Sequence, residues 1–175
     1  VWRIGRKIPF SKIGVLFGTK MKQETTGTLA HFAAELTYDK IPLPAIEHIK
    51  LCLLDTFGCG LFGSTLSWAR IVADFVRDLD GKPQSSVWGR NFKVTAPDAA
   101  LANGTAVHSF EFDDLHKTAI VHPGAIAVSS ALALAEDIGG CDGKEFLAAV
   151  VAGYEVGIRV GMSVGTAHLQ RGFHP

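Results

Sequence analysis

The chain has 175 residues, 47% hydrophobic and 19% charged, and its 17 basic and 17 acidic side chains cancel to a formal net charge of zero. Length and apolar content suffice for one compact domain with a core, and they exclude intrinsic disorder and a strongly basic nucleic-acid binder. Charge below the usual ~25%, with 19 glycines in the chain, implies a surface made to be covered by something larger.

Residues 1–20 hold five basic groups, Arg3, Arg6, Lys7, Lys12 and Lys20, and no acid, so the rest of the chain carries 12 basic against 17 acidic groups. The apolar run at 13–17 is interrupted by Gly14 and is too short for a signal-peptide core. Residues 1–20 therefore read as a basic leader, disordered or non-native, ahead of a domain at 21–175. Sequence translated upstream of a start at Met21 is the favoured origin and a mitochondrial transit peptide the alternative; the domain itself is expected in the cytoplasm. Cys52, Cys59 and Cys141 form no C-x-x-C pair, which predicts reduced, buried thiols.

The spacing of Leu29, Phe32, Ala33 and Leu36 predicts an amphipathic helix over 28–36. Pro44 suits the first turn of a second helix running to about residue 62, with Ile46, Ile49, Leu53, Leu54 and Phe57 facing inward. A third, over 67–79, repeats the pattern with Ala69, Val72, Ala73 and Val76. Residues 85–88 are β-like, but one extended piece makes no sheet. The segments 97–110 and 123–138 leave no polar face, which predicts two helices buried on all sides. Asp142 with Glu145 is a capping-box variant that opens a last helix, and Gly153, Gly157, Gly161 and Gly165 form a stripe suited to close helix packing. The best membrane candidate, 146–165, contains Glu155 and Arg159 at i,i+4 and lacks ~18 uninterrupted apolar residues, so no span is predicted. The expected fold is all-α, with six or so helices of which two are fully enclosed.

The chemistry lies between His108 and Gly124, a polar stretch joining the two apolar helices. It holds Glu111, Asp113, Asp114, His116, Lys117 and His122. Pro123 makes His122 the N-cap of the following helix, so the amides of Gly124, Ala125 and Ile126 would offer an anion site beside an imidazole. His122 either works there as an acid or base or merely caps the helix. Three acids would repel an anionic substrate unless His116, Lys117 and His122 offset them. One of Asp113 and Asp114 orienting a histidine resolves part of that conflict; a solvated acidic turn is the alternative. His108 reads as a hydrogen-bonded core histidine. His116, His122 and the carboxylates are possible metal ligands, but no H-E-x-x-H or other tight spacing supports a metal, and no phosphate-binding loop supports a nucleotide.

Six pieces occur together: Leu54-Asp55-Thr56-Phe57-Gly58, Ser86-Val87-Trp88-Gly89, Ala102-Asn103-Gly104-Thr105-Ala106-Val107-His108, Glu111-Phe112-Asp113-Asp114, His122-Pro123-Gly124 and Gly172-Phe173-His174-Pro175. In this order, from about residue 27 to 175, they resemble the MmgE/PrpD family. The resemblance implies the N-terminal part of a large all-α domain that holds the active site, followed in full-length members by a smaller α+β lid. It further implies a homodimer without metal or organic cofactor. The implied substrate is a small di- or tricarboxylic acid, attacked by proton abstraction next to a carboxylate and leading to dehydration, decarboxylation or epimerisation.

By motif, the family's active-site acid falls on Glu111, where Asp is commoner, and its two histidines on His122 and His174. Asp113 and Asp114 join them as carboxylate partners, with Gly124, Ala125, His116 and Lys117 toward the substrate. Leu115 stands where Thr is expected, and the run from the acids to His122 is one residue off the decarboxylase pattern. The family's pocket also draws a lysine and a tyrosine from beyond position 175, so the 175-residue piece alone is expected to have little or no activity. The competing readings are a non-catalytic helical oligomerisation domain and, third, a metal-dependent hydrolase.

Overall fold

The computed structural model describes residues 25–173; the leader at 1–20 and His174 lie outside the described residues. The described chain divides into two units, one ending at Glu35 and the other beginning at Leu36. In the first, helix α1 (Thr25–Glu35) begins three residues ahead of the expected 28–36 helix.

The second unit opens with a single 3-10 turn, Tyr38–Lys40, and then α2 (Leu43–Gly63), whose first turn holds Pro44 as expected. Ile46 and Ile49 are buried, with Leu53 and Phe57 packed half-buried beside Val128, Val150 and Tyr154. Leu54, expected inward, is 72% exposed. At about 100° per residue it falls on a neighbouring stripe with Leu43 and Leu61, also exposed, which the described residues do not cover. The chain turns by 87° into α3 (Ser67–Asp78), which buries Ala69, Ala73 and Val76 and leaves Trp68, Ile71 and Phe75 open.

The β-like run is not alone. Strand β1 (Ser85–Ser86) pairs antiparallel with β2 (Lys93–Val94), a short hairpin the sequence reading missed because its second arm has no alternating pattern. The hairpin is held from outside. Ser85 Oγ donates to the Ala133 carbonyl at 2.6 Å, and the buried Asn103 amide accepts from Trp88 N–H at 2.8 Å and donates to the Ser86 carbonyl at 2.9 Å.

Helix α4 (Ala96–Val107) is capped by Thr95, whose hydroxyl accepts from the Asp98 amide, and it packs most extensively against α5 (Pro123–Asp137). Together with α2, α3 and the hairpin they enclose Val76, Val87, Val94, Val107 and Val128, each worth roughly 1.5–3 kcal/mol of burial. The expectation that both helices are buried on all sides needs correction. Leu101 of α4 is 52% exposed, and Ile126 and Leu134 of α5 are 61% and 48% exposed. An apolar face reports that a surface is meant to be covered, and among the described residues nothing lies on these.

Helix α6 (Gly143–Val164) starts with the predicted capping box, Asp142 and Glu145 each answering the other's backbone amide, and α7 (Ala167–Gln170) follows. By length and composition α6 is long and apolar enough to cross a membrane, even though Glu155 and Arg159 interrupt its apolar run. It packs along α5, buries Tyr154, and carries the Glu155–Arg159 ion pair. The glycine stripe divides. A Cβ at Gly153 would strike Ala127 and one at Gly161 would strike Ala119 and Val121, whereas Gly157 faces open space and Gly165 ends the helix with φ of +60°.

Candidate active site

His108 directly follows α4 and His122 directly precedes α5, so the α4–α5 contact brings two histidines fourteen residues apart into one place. Their ring centroids lie 4.4 Å apart. Between them stands Asp113, its side chain fully buried: Oδ1 is 3.1 Å from His108 Nδ1 and 3.2 Å from His122 Nδ1. A carboxylate removed from water is costly unless partners surround it. Here one oxygen has two imidazoles, while Oδ2 is buried with no partner among the described residues. His122 keeps 12% side-chain exposure and His108 36%, so both rings reach the edge of the core from a buried anchor.

The adjacent Asp114 turns elsewhere. Its Oδ1 accepts the Gly124 amide at 3.0 Å, across ten residues, beside the Tyr154 hydroxyl of α6 and Thr56 of α2. Burial pushes the Asp114 carboxyl above its ordinary range, with the neighbouring carboxylates of Asp113 and Asp55 adding and the Tyr154 and Gly124 hydrogen bonds opposing. Burial, then the Asp114 charge, raises the Tyr154 phenol well beyond its usual value, so it stays protonated. Cys52, Ile49, Val151, Asp114, His116 and Tyr154 line a cavity of about 340 Å³ between α2 and α6.

The description of the MmgE/PrpD N-terminal domain matches residues 27–175. The chain belongs to the MmgE/PrpD family. It is similar to the cis-aconitate decarboxylase-like protein oryM of Aspergillus oryzae, 33% identical over 156 residues that cover 85% of this chain and 32% of the relative. The cis-aconitate decarboxylase of Aspergillus terreus is 27% identical over 158 residues, 87% of this chain and 32% of its own. That of Homo sapiens is 34% identical over 92 residues, 52% and 19% respectively. The chain thus spans about a third of the length of the two Aspergillus relatives.

Within this MmgE/PrpD domain the sequence-predicted residues separate. His122 and Asp113 meet, and His108, read from sequence as a core histidine, joins them. Glu111 does not: it is exposed, on a left-handed backbone with φ of +51°. His116 Nδ1 accepts the Ala119 amide at 3.2 Å inside its own turn, and Lys117 is exposed. The anion site expected at the α5 N-terminus is altered, because Asp114 already holds the Gly124 amide, and Ala125 is buried against Cys59 and Val107. His122 occupies the N-cap position, yet its side chain makes no capping bond. His174 lies outside the described residues.

Tyr154 and Thr56 were not foreseen. The available signal was a phenol inside a long apolar helix, next to a glycine. His108, Asp113 and His122 also offer three ligand atoms within 4.8 Å of one another, a set that could hold a metal ion. The sequence spacing hid it because the ligands come from two helix ends and the loop between them. Of the cysteines, Cys59 is buried and Cys52 half-buried, but Cys141 is exposed, contrary to the expectation of three buried thiols.

Proposed function

We propose that this chain supplies part of the active site of a lyase acting on small di- or tricarboxylic acids, with His122 moving the proton. The observation that carries this reading is the buried Asp113 carboxylate flanked by two imidazoles at the junction of α4 and α5. A buried carboxylate beside a ring nitrogen orients an imidazole for acid–base work, and Asp113 Oδ1 stands 3.2 Å from His122 Nδ1. His108 and His174 are the further proton-handling candidates.

Of dehydration, decarboxylation and epimerisation, the kinship with cis-aconitate decarboxylases favours decarboxylation. In that step the bond from carbon to one carboxylate breaks, carbon dioxide leaves, the electron pair passes to the carbon framework, and a proton from the enzyme is delivered there. The exposed Leu43, Leu54, Ile71, Ile126 and Leu134 support a surface covered in the whole protein, by its remaining length or by a second subunit.

The test is turnover of cis-aconitate by the whole protein, followed as carbon dioxide release. His122→Ala is expected to lower kcat by about 10²- to 10⁴-fold. An unchanged rate removes His122 from the chemistry. Loss of turnover with a chelator, restored by zinc, would move the reading to a metal-assisted reaction. Absence of both turnover and a melting shift with citrate-like acids would favour the oligomerisation domain.

A further inference from the structure

A helix N-cap ordinarily accepts one of the orphan amides of the first turn with its own side chain. His122 holds that position at the start of α5 and does not do so; its ring is turned to Asp113 instead. The amide is answered from ten residues upstream, by Asp114 Oδ1 on Gly124 N–H at 3.0 Å. Two further oxygens, from different helices, close on the same spot. A Cβ built on Gly124 would lie 2.5 Å from Asp114 Oδ1 and 3.0 Å from the Tyr154 hydroxyl, and would strike Thr56 Oγ1. Only glycine lets all three approach, which gives this glycine a steric reason that its place in a helix does not.

Tyr154 is 8% exposed, and its hydroxyl, buried without a hydrogen bond among the described residues, is brought with Asp114 Oδ1 to the same side of Gly124. We infer that Asp114 and Tyr154 are positioning residues for His122: they clamp the first turn of α5 through the Gly124 amide, which releases the His122 ring from capping. The two consecutive acids then divide the work. Asp113 holds the imidazole, and Asp114, backed by Tyr154, holds the backbone beneath it. The protonated phenol fits this role, since it remains a donor toward the carboxylate.

This inference rests on the proposed role of His122, and its test has a readout that does not. In the whole protein, Asp114→Ala and Tyr154→Phe are expected to lower kcat by about 10- to 100-fold, as a misplaced catalytic group does, with little change in KM. Both are expected to shift the ring nitrogen resonances of His122 in nitrogen-15 NMR. Asp114→Asn keeps an oxygen for the Gly124 amide and is expected to retain kcat and the resonances. Should Asp114→Ala fail to fold, Tyr154→Phe decides, because the ring and its packing stay. Unchanged resonances in folded Tyr154→Phe overturn the inference, whatever happens to the rate. If His122→Ala leaves turnover intact, the functional reading fails, while the resonances still report whether the clamp fixes the ring.

Discussion

Two polar regions sit on either side of α4 and are built to opposite rules. Around the hairpin, buried polar atoms are matched: Asn103, 2% exposed, answers both Trp88 N–H and the Ser86 carbonyl, and Ser85 has the Ala133 carbonyl. In the segment between α4 and α5, Asp113 Oδ2 is buried with no hydrogen bond among the described residues, and the Tyr154 hydroxyl packed beside Asp114 lacks well-formed hydrogen-bond geometry there. The backbone there carries Glu111 and Ile120 at φ of +51° and +53°, and a β-branched residue in that region is a real outlier. A polar group that serves only the fold gains nothing by being left unmatched. Incomplete matching and strain together set the second region apart from the hairpin.

The largest expected effect comes from breaking the matched region. Asn103→Ala leaves the Trp88 amide and the Ser86 carbonyl buried and unanswered, at about 1–3 kcal/mol each. A loss of roughly 2–4 kcal/mol in urea unfolding is expected, with kcat per folded molecule retained. Lost kcat at unchanged stability would show that the Asn103 bridge belongs to the site and would erase the contrast.

That contrast explains how much was legible beforehand. Helix positions followed from periodicity because a 3.6-residue pattern is local, and the capping box at Asp142 and Glu145 is local too. His122 and Asp113 were singled out as candidates since charged groups between apolar helices stand out. What could not be read was which acid takes which partner. Asp113 and Asp114 are neighbours in sequence, and their division depends on Tyr154, which arrives from α6. The role of His108 depends likewise on the crossing of α4 and α5. Exposure was misjudged at Leu54, Leu101 and Ile126, where an apolar residue reports the need for cover but not what supplies it.

A smaller effect tests the unmatched side. Burial raises Asp114 in the fold, so the native state holds that proton more tightly than the unfolded chain does. Its contribution to stability is then most favourable below the ordinary Asp value of about 3.9 and declines as pH rises from there through the raised value. Asp114→Asn lacks this decline. Its melting temperature is expected to exceed that of the parent at pH 7 by a modest margin, which closes as pH falls through the carboxylate range. A parent that melts higher at pH 7 would mean that the Gly124 and Tyr154 partners outweigh burial, and Asp114 would join Asn103 among the matched groups.

The smallest effect leaves stability and turnover aside and reads the field at the border of the two regions. Cys59 lies on α2 beside a recess of about 390 Å³ that it shares with Asp55, Phe62, Phe110 and Phe112. Burial, then the charges of Asp55, Asp113 and Asp114, pushes its thiol up to about 11. At pH 8 about one such thiol in a thousand is ionised, and the thiolate is the species that alkylates. Exposed Cys141 should therefore react with iodoacetamide first and Cys59 only after unfolding, which peptide mass mapping of a time course resolves. Neutralising one contributor sharpens the test. If Asp113→Asn speeds Cys59 labelling in the folded protein, the acidic segment reaches across the helix junction; if Cys59 already labels as fast as Cys141, the core there is open and the border between the regions is not where the buried carboxylates place it.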